Sequence, residues 1–464
     1  MNKISIYSSL PYWLQDIAIS IHGYNLKKTR YNETFHQLKE FLSSTQNWNK
    51  EKIIAYKEEN IAKILELSYV HCPFYNKKYK KAGLSPRDFK SLEDIKKFPI
   101  LTKEEVRHNW AGMVSDIINK RDLILYHTSG STGTALDFYW TKYSAAFYWA
   151  VDQRYKDRFG FNLGQLFLNF TGKPIIPITA SKPPFWRYDS ALNRYFLTMQ
   201  QISPTKIKDI VNWLEGKNLN FFVGYPSIMT SFANEMINQG LSLTCPPTDI
   251  FTGAEKVYSN QKAILLQAFP SVKIHELYSF SEQAAIATHC KHGVYHEDFE
   301  IGHMELTKTE HVKSGTKGEI LATGFANYGM PFIRYKNGDT AIFSERTCNC
   351  GLQSQIIEDI VGRNEDYIIT PEGLHIQRLD YIFKGTNNIK ECQVVQNVLN
   401  ELLLRIVKRP NYRESTEIQL KQNISQLISP LINVKFEYVD EIERTKAGKF
   451  RAVVSNLNNQ STNE

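Results

Sequence analysis

The sequence predicts an α/β fold, with a large N-terminal domain of alternating strands and helices and a small α+β domain behind it. Two observations carry this expectation. Between residues 140 and 330 strand-like and helix-like segments alternate, and at Gly362-Arg363-Asn364-Glu365-Asp366 that pattern breaks. The chain is 464 residues long, enough to bury a large core in two or more domains. The expected boundary divides 1–364 from 365–464, with 1–70 as a helical N-terminal segment.

Taken in order, residues 1–70 read as helical, because Leu10, Leu14, Ile17 and Ile21 recur at helical spacing with Trp13 alongside. The plain reading is a helix packed on its own domain; the alternative is a helix that docks on a membrane surface or a protein partner. The run Lys77-Lys78-Tyr79-Lys80-Lys81 reads as a solvated helix end, and Lys103-Glu104-Glu105 opens another helix. Leu123-Ile124-Leu125-Tyr126 reads as a strand, and Thr128-Ser129-Gly130-Ser131-Thr132-Gly133-Thr134 follows it. Small hydroxyl residues and glycines let the backbone approach a polyphosphate and offer it N–H and O–H donors. No Lys follows Gly133, so the Walker pattern is excluded, and clusters of this composition are also ordinary turns.

Further along, Phe167-Leu168-Asn169-Phe170, Phe221-Phe222-Val223-Gly224 and Asp249-Ile250-Phe251-Thr252-Gly253 each end at small or polar residues. Ile274-His275-Glu276-Leu277-Tyr278 is a further strand. In such folds ligands collect at the C-terminal ends of strands. In the small domain strands are expected around 391–408 and 433–439, a helix around 415–428, and a frayed polar end at 458–464.

Composition narrows the class. With 42% hydrophobic and 22% charged residues the chain is that of a soluble globular protein. No apolar stretch is long enough to cross a bilayer, and Asp16 interrupts the one apolar region near the N-terminus, unlike a secretory signal. A net charge of +8 over this length forms no clustered nucleic-acid patch. The six cysteines do not form a secreted disulfide framework, and a cytoplasmic protein is expected.

Four segments follow the Ser/Thr/Gly loop in a fixed order: Tyr278-Ser279-Phe280-Ser281-Glu282, the stretch from Gly329-Met330-Pro331 through Arg334-Tyr335 to Gly338-Asp339, Gly362-Arg363 and Gly448-Lys449. Together with the loop they resemble the acyl-adenylate-forming superfamily of acyl-CoA synthetases, peptide-synthetase adenylation domains and luciferases. Gly224-Tyr225-Pro226-Ser227, Asn327-Tyr328-Gly329-Met330-Pro331 and Cys348-Asn349-Cys350-Gly351 resemble the phenylacetate–CoA ligase and CapK-type branch of it. The likeness covers nearly the whole chain.

That resemblance implies an adenylation domain of several subdomains and a mobile C-terminal domain. It implies ATP and Mg²⁺ as cofactors, and a carboxylic acid joined to AMP before the acyl group passes to CoA. The alternative acceptor is an amine or hydroxyl on a sugar intermediate of surface-polysaccharide synthesis; a non-catalytic nucleotide-binding protein of the same fold is the reading from another class. Joining two anions and expelling pyrophosphate calls for charge neutralisation and positioning more than for a strong nucleophile.

By resemblance, Thr128–Thr134 hold the outer phosphates, Glu282 binds Mg²⁺ through hard oxygen ligands, and Asp339 takes the ribose hydroxyls. Tyr278 and Gly253-Ala254-Glu255 would sandwich the adenine, with Ser279, Phe280 and Ser281 in the same segment. Arg363 contacts ribose or phosphate. Lys449, the residue directly after the glycine, is the catalytic lysine that stabilises the pentavalent phosphorus, and Lys446 is not. Glu365 stands where the family usually has a hinge Asp. Plain readings exist for several of these residues: a helix-start carboxylate for Glu282, a turn Asp for Asp339, core packing for Tyr278. The acid is expected between Phe147-Tyr148-Trp149, Gly224-Tyr225-Pro226 and the Tyr278 strand.

Cys290, His296, Cys348 and Cys350 form a separate set whose three thiolates and imidazole suit tetrahedral, structural Zn²⁺. His292 rivals His296, and buried reduced thiols are the competing reading. Cys72, Cys245 and Cys392 have no visible partners.

Overall fold

The computed structural model describes residues 7–127, 136–173, 175–177, 180–362, 367–376, 379–383, 386, 388–443 and 453–457. The chain opens with helices α1 (Tyr12–Arg30), α2 (Glu33–Thr45) and α3 (Lys50–His71). Asn32 and Asn49 precede α2 and α3, and each side chain accepts a first-turn N–H at 3.0 Å. Then come α4 (Pro73–Lys81) and α5 (Lys103–Met113), the latter opened by a Thr102–Glu105 capping box. The basic run at the end of α4 is more than a solvated end: Tyr79 is buried, and Lys78 donates to Ile100 O at 2.8 Å and pairs with Glu105 at 2.6 Å.

Strands β1 (Leu123–His127) and β2 (Asp137–Thr141) form an antiparallel pair, and α6 (Lys142–Asp157) follows. The expected alternation is next: β3 (Phe167–Thr171), β4 (Arg187–Asp189), β5 (Arg194–Thr198), α7 (Ile207–Glu215), β6 (Phe221–Gly224), α8 (Pro226–Asn238), β7 (Asp249–Gly253), α9 (Ser259–Ala268) and β8 (Lys273–Ser279). In space β5, β3, β6, β7 and β8 run parallel, with β4 antiparallel on the edge. Gly224 has φ +145, and a Cβ there would collide with Phe170 O of the neighbouring strand, so only glycine fits this turn.

An antiparallel run extends this sheet, and the alternation seen in the sequence did not resolve it: β9 (Ile286–His289), β10 (Tyr295–Glu297), β11 (Gly302–Val312), β12 (Gly315–Gly324), β13 (Tyr335–Ser344) and β14 (Ile356–Gly362). The twelve strands lie in the order β11-β12-β13-β14-β10-β9-β8-β7-β6-β3-β5-β4. Beyond it are β15 (Ile368–Ile369), β16 (His375–Ile376), β17 (Ile389–Val398), β18 (Glu401–Lys408), α10 (Glu414–Leu427), β19 (Asn433–Tyr438) and β20 (Val453–Ser455). The 391–408 segment resolves into the β17–β18 hairpin of a four-stranded sheet, β19-β18-β17-β20.

The early helices dock far along the chain. Ile61, Ile64 and Leu65 of α3 share a buried cluster with Ala322 and Tyr335, and Tyr75 OH donates to Pro331 O at 2.7 Å. A charged seam runs beside that cluster. Lys57 pairs with Glu297, Arg154 of α6 reaches Asp298 at 2.7 Å and Glu300 at 2.5 Å, and Thr45 also donates to Glu300. Lys57, Arg154 and all three carboxylates are buried, so each needs its partner.

Helix α1 does pack on its own domain, but through polar groups. Gln15 accepts from Arg187 Nε at 2.7 Å, Asp16 from Tyr188 N at 3.1 Å, and Ser20 Oγ from Ser190 N at 3.0 Å. Gly23 lies so close to Asp189 that a Cβ would collide with its carboxylate. The helix thereby covers β4, the edge of the sheet. Ile17 and Ile21 take no part in this packing and are exposed.

Candidate active site

Strand β13 places Tyr335, Asn337 and Asp339 on one face by its two-residue period. Asn337 Nδ2 donates to Asp339 Oδ2 at 2.8 Å, and Asp339 N to Asn337 Oδ1 at 3.0 Å. Tyr278 OH at the end of β8 donates to the same Asp339 oxygen at 2.8 Å and accepts from Asn337 Nδ2 at 2.7 Å. In strand order β9, β10 and β14 stand between β8 and β13, which in a flat sheet would separate them by roughly 19 Å. The 2.8 Å bond therefore requires the sheet to fold back on itself.

Glu282 belongs to the same cluster, since it accepts from Tyr335 OH at 2.5 Å and is 4% exposed. The backbone behind it is locked. Gln283 has φ 54, and Ala284 is wedged between Gly302 and Gly324, where a Cβ on Gly302 would collide with Ala284 O. Ser279 Oγ lies 3.4 Å from Tyr148 OH, Ser281 O accepts from Trp140 Nε1 at 3.0 Å, and Phe280 is buried. Burial pushes the Tyr148 phenol up to about 12, so it stays neutral. In Gly253-Ala254-Glu255, Ala254 takes φ 67 and Glu255 Oε2 accepts from Ser227 N at 3.2 Å, which ties this turn to the Gly224-Tyr225-Pro226 segment. Phe147 is a core residue rather than a pocket wall; Tyr148 and Trp149 are half-buried.

Thr128, Ser129, Gly130, Ser131, Thr132, Gly133 and Thr134 lie outside the described residues, as do Arg363, Glu365 and Lys449. The hairpin that flanks the Thr128–Thr134 loop is described. Its last pair, His127 and Asp137, is joined at 2.6 Å. Asn327 Nδ2 donates to Tyr139 O at 2.7 Å, and a Cβ on Gly329 would meet Leu123 at 2.6 Å and Thr141 at 2.8 Å. The Asn327-Tyr328-Gly329 segment thus clamps the hairpin to the body that carries Glu282. Sequence reasoning missed Trp140, Tyr335 and Asn337; the last two are signalled by their period-two spacing with Asp339.

The cysteines and histidine do meet. One donor atom from each of Cys290, His296, Cys348 and Cys350 falls within 4.8 Å of the others. Cys290 Sγ is 3.7 Å from Cys348 Sγ, and Cys350 Sγ is 3.3 Å from His296 Nε2. His292 contributes its backbone N–H to Cys290 Sγ at 3.4 Å and is not one of the four. Burial opposes ionisation of Cys290, but bonds from His296 and backbone N–H groups outweigh it and hold the thiol below its usual value. Burial pushes Cys350 up to about 12. Tetrahedral Zn²⁺ fits this donor set, since a dication offsets the mutual repulsion of closely packed thiolates.

Residues 368–456 match the CapK C-terminal domain family. Protein CapK of Staphylococcus aureus is 26% identical over 463 residues, covering 97% of this chain and 99% of that one. A phenylacetate–coenzyme A ligase of Thermus thermophilus is 20% identical over 437 residues, covering 87% and 97%. Among solved structures, 2-hydroxyisobutyryl-CoA ligase in complex with 2-HIB-AMP and CoA superposes with a TM-score of 0.58 at 17% identity, over 90% of this chain and 94% of that one. Its fold is a large N-terminal domain followed by a smaller one, as here. Sequence motifs, fold and relatives point the same way: over nearly its whole length the chain is similar to acyl-adenylate-forming ligases of the phenylacetate–CoA ligase and CapK type.

Proposed function

We propose that the protein is an AMP-forming ligase that activates a carboxylic acid as its acyl-adenylate and passes the acyl group to CoA. The observation that carries this reading is the bonded cluster of Tyr278, Asn337 and Asp339, joined through Tyr335 to the buried Glu282. It gathers an aromatic face, a carboxylate suited to a diol and a carboxylate suited to a hard cation. Asp339 would take the ribose hydroxyls, Tyr278 and Gly253-Ala254-Glu255 the adenine, and Glu282 the Mg²⁺ that neutralises phosphate charge. Thr128–Thr134 would grip the phosphates and Arg363 the ribose or α-phosphate. Lys449 would stabilise the developing charge on the α-phosphate, arriving with a C-terminal domain, residues 365–464, that turns about Glu365. Cys290, His296, Cys348 and Cys350 would hold a structural zinc that fixes the loop between β13 and β14.

The experiment is acid-dependent exchange of pyrophosphate into ATP across a panel of carboxylic acids. Exchange with one acid, abolished in Lys449→Ala while ATP still binds, is the expected result. Tight ATP binding without exchange for any acid would overturn the reading in favour of a non-catalytic nucleotide binder. The CapK-type match over 368–456, with Protein CapK similar over 97% of the chain, supports a second reading of the transfer half. Here the acceptor is an amine or a sugar hydroxyl. A preformed adenylate that yields thioester with CoA excludes it.

A further inference from the structure

We propose that the outer face of helix α1 binds the surface of an anionic phospholipid membrane. The helix is held to the protein by Gln15, Asp16, Ser20 and Gly23, all on the side that covers edge strand β4. The side next to these contacts carries Trp13, Ile17, Ile21 and Tyr24, at 54%, 49%, 61% and 63% exposure. These positions follow a spacing of four, four and three, so they form one stripe along the helix. Single exposed apolar residues are normal, but an aligned stripe on a helix already anchored by its polar side is not explained by packing.

Charge and residue type select the occupant. Lys28 continues the stripe at its C-terminal end with exposed Lys27 beside it, while Asp16, the one carboxylate of the helix, accepts from Tyr188 N at the groove's edge. Asp189, beneath the helix, is buried and bonded to Arg194. The outward face is therefore aromatic at both ends, aliphatic between and cationic at one tip. Trp and Tyr place an apolar ring and a polar tip at the headgroup level, and lysines there attract anionic lipid. Beside the stripe, Ile17, Ile21 and Tyr24 border an open groove shared with Asp16, Ser20 and the β4 side, which gives acyl atoms room to enter along its apolar wall.

The full chain is sedimented with vesicles of pure phosphatidylcholine and of phosphatidylcholine with phosphatidylglycerol. Binding to the anionic vesicles is expected, lowered by high salt, about tenfold weaker for Ile17→Ser/Ile21→Ser, and similarly weaker for Lys27→Glu/Lys28→Glu. An unchanged thermal midpoint shows that the variants fold, which their exposed positions favour. Failure to bind anionic vesicles at low salt overturns the proposal. So does a dimer in solution that the isoleucine variants dissociate, since the stripe is then covered by a second copy. Pyrophosphate exchange plays no part in this test, so the ligase reading can fail independently.

Discussion

Asp339 has two claims on it. As a turn residue it would only order the backbone after Asn337-Gly338; as a ribose ligand it must act on ATP. In the structure it receives both Tyr278 and Asn337 on one oxygen, a convergence that a simple turn does not require. Asp339→Ala is therefore expected to raise KM for ATP at least about tenfold with a smaller change in kcat. A change in thermal midpoint alone, with KM intact, would return the residue to its turn role. Asp339, Glu282 and Tyr278 were legible in the sequence because their motifs bind them to neighbours of fixed type. Asn337 and Tyr335 carry the period-two spacing with Asp339, but their residue types do not mark a site, and the side chains that show their place there, Tyr278 and Glu282, lie 59 and 53 residues away. His296 over His292 was decided by backbone direction: Tyr295 and His296 pair with β9, so the His296 ring returns to Cys350.

At the level of elements, β3, β6 and β7 were legible because each ends at small or polar residues after an apolar run, and β8 by its apolar run, while parallel β5 was not read from the sequence. Of the antiparallel strands from 286 to 344, β9 and β10 escaped because they are almost wholly buried, which erases the alternation of a half-exposed strand; β13 does alternate in burial, but it buries polar Asn337 and Asp339, so the alternation does not show as hydrophobicity. Helix α1 was recognised by period and does pack on its own domain, yet its apolar period marks an exposed stripe, since hydrogen bonds from an edge strand hold the helix without apolar contact. The Asn327-Tyr328-Gly329 segment reads in sequence as a family signature and in structure as a clamp on the β1–β2 hairpin. Gly329→Val should push that hairpin off its seat, since even a Cβ meets Leu123 at 2.6 Å. Exchange activity is expected to fall about tenfold to a hundredfold, with Gly216→Ala, which meets nothing within 4 Å, as the silent control. Equal activity in both variants would detach the clamp from catalysis.

The whole molecule depends on its charged seam in a pH-specific way. Burial favours the neutral form of Glu297, yet Lys57 and His303 outweigh it and hold the carboxyl down to about 2, from an ordinary 4.5. A folded-state value below the unfolded one adds stability that is full above about pH 4.5 and lost as pH falls toward 2. The contribution is roughly 3 kcal/mol, at the usual 1.36 kcal/mol per pH unit. Asp298 works in the opposite sense: burial raises it, and Arg154 must serve Glu300 as well. Acid unfolding followed by circular dichroism should therefore begin near pH 4.5 and shift to higher pH in Lys57→Met. An unshifted transition would remove the seam from the acid response. A strong chelator should lower the thermal midpoint by several degrees and release about one zinc per chain, with exchange activity surviving below the new midpoint.

The docking of α3 also has a consequence in time. Lys57 and Glu297 are 240 residues apart, and Tyr75 reaches Pro331 across 256. On a ribosome moving at about 5–20 residues per second, α3 is made roughly 12 to 48 s before its partner leaves the tunnel. Through that interval Ile61, Ile64 and Leu65 have no completed core to enter. The nascent chain is then a client for a holdase, and its yield should follow chaperone supply and synthesis rate more than the stability of the finished protein.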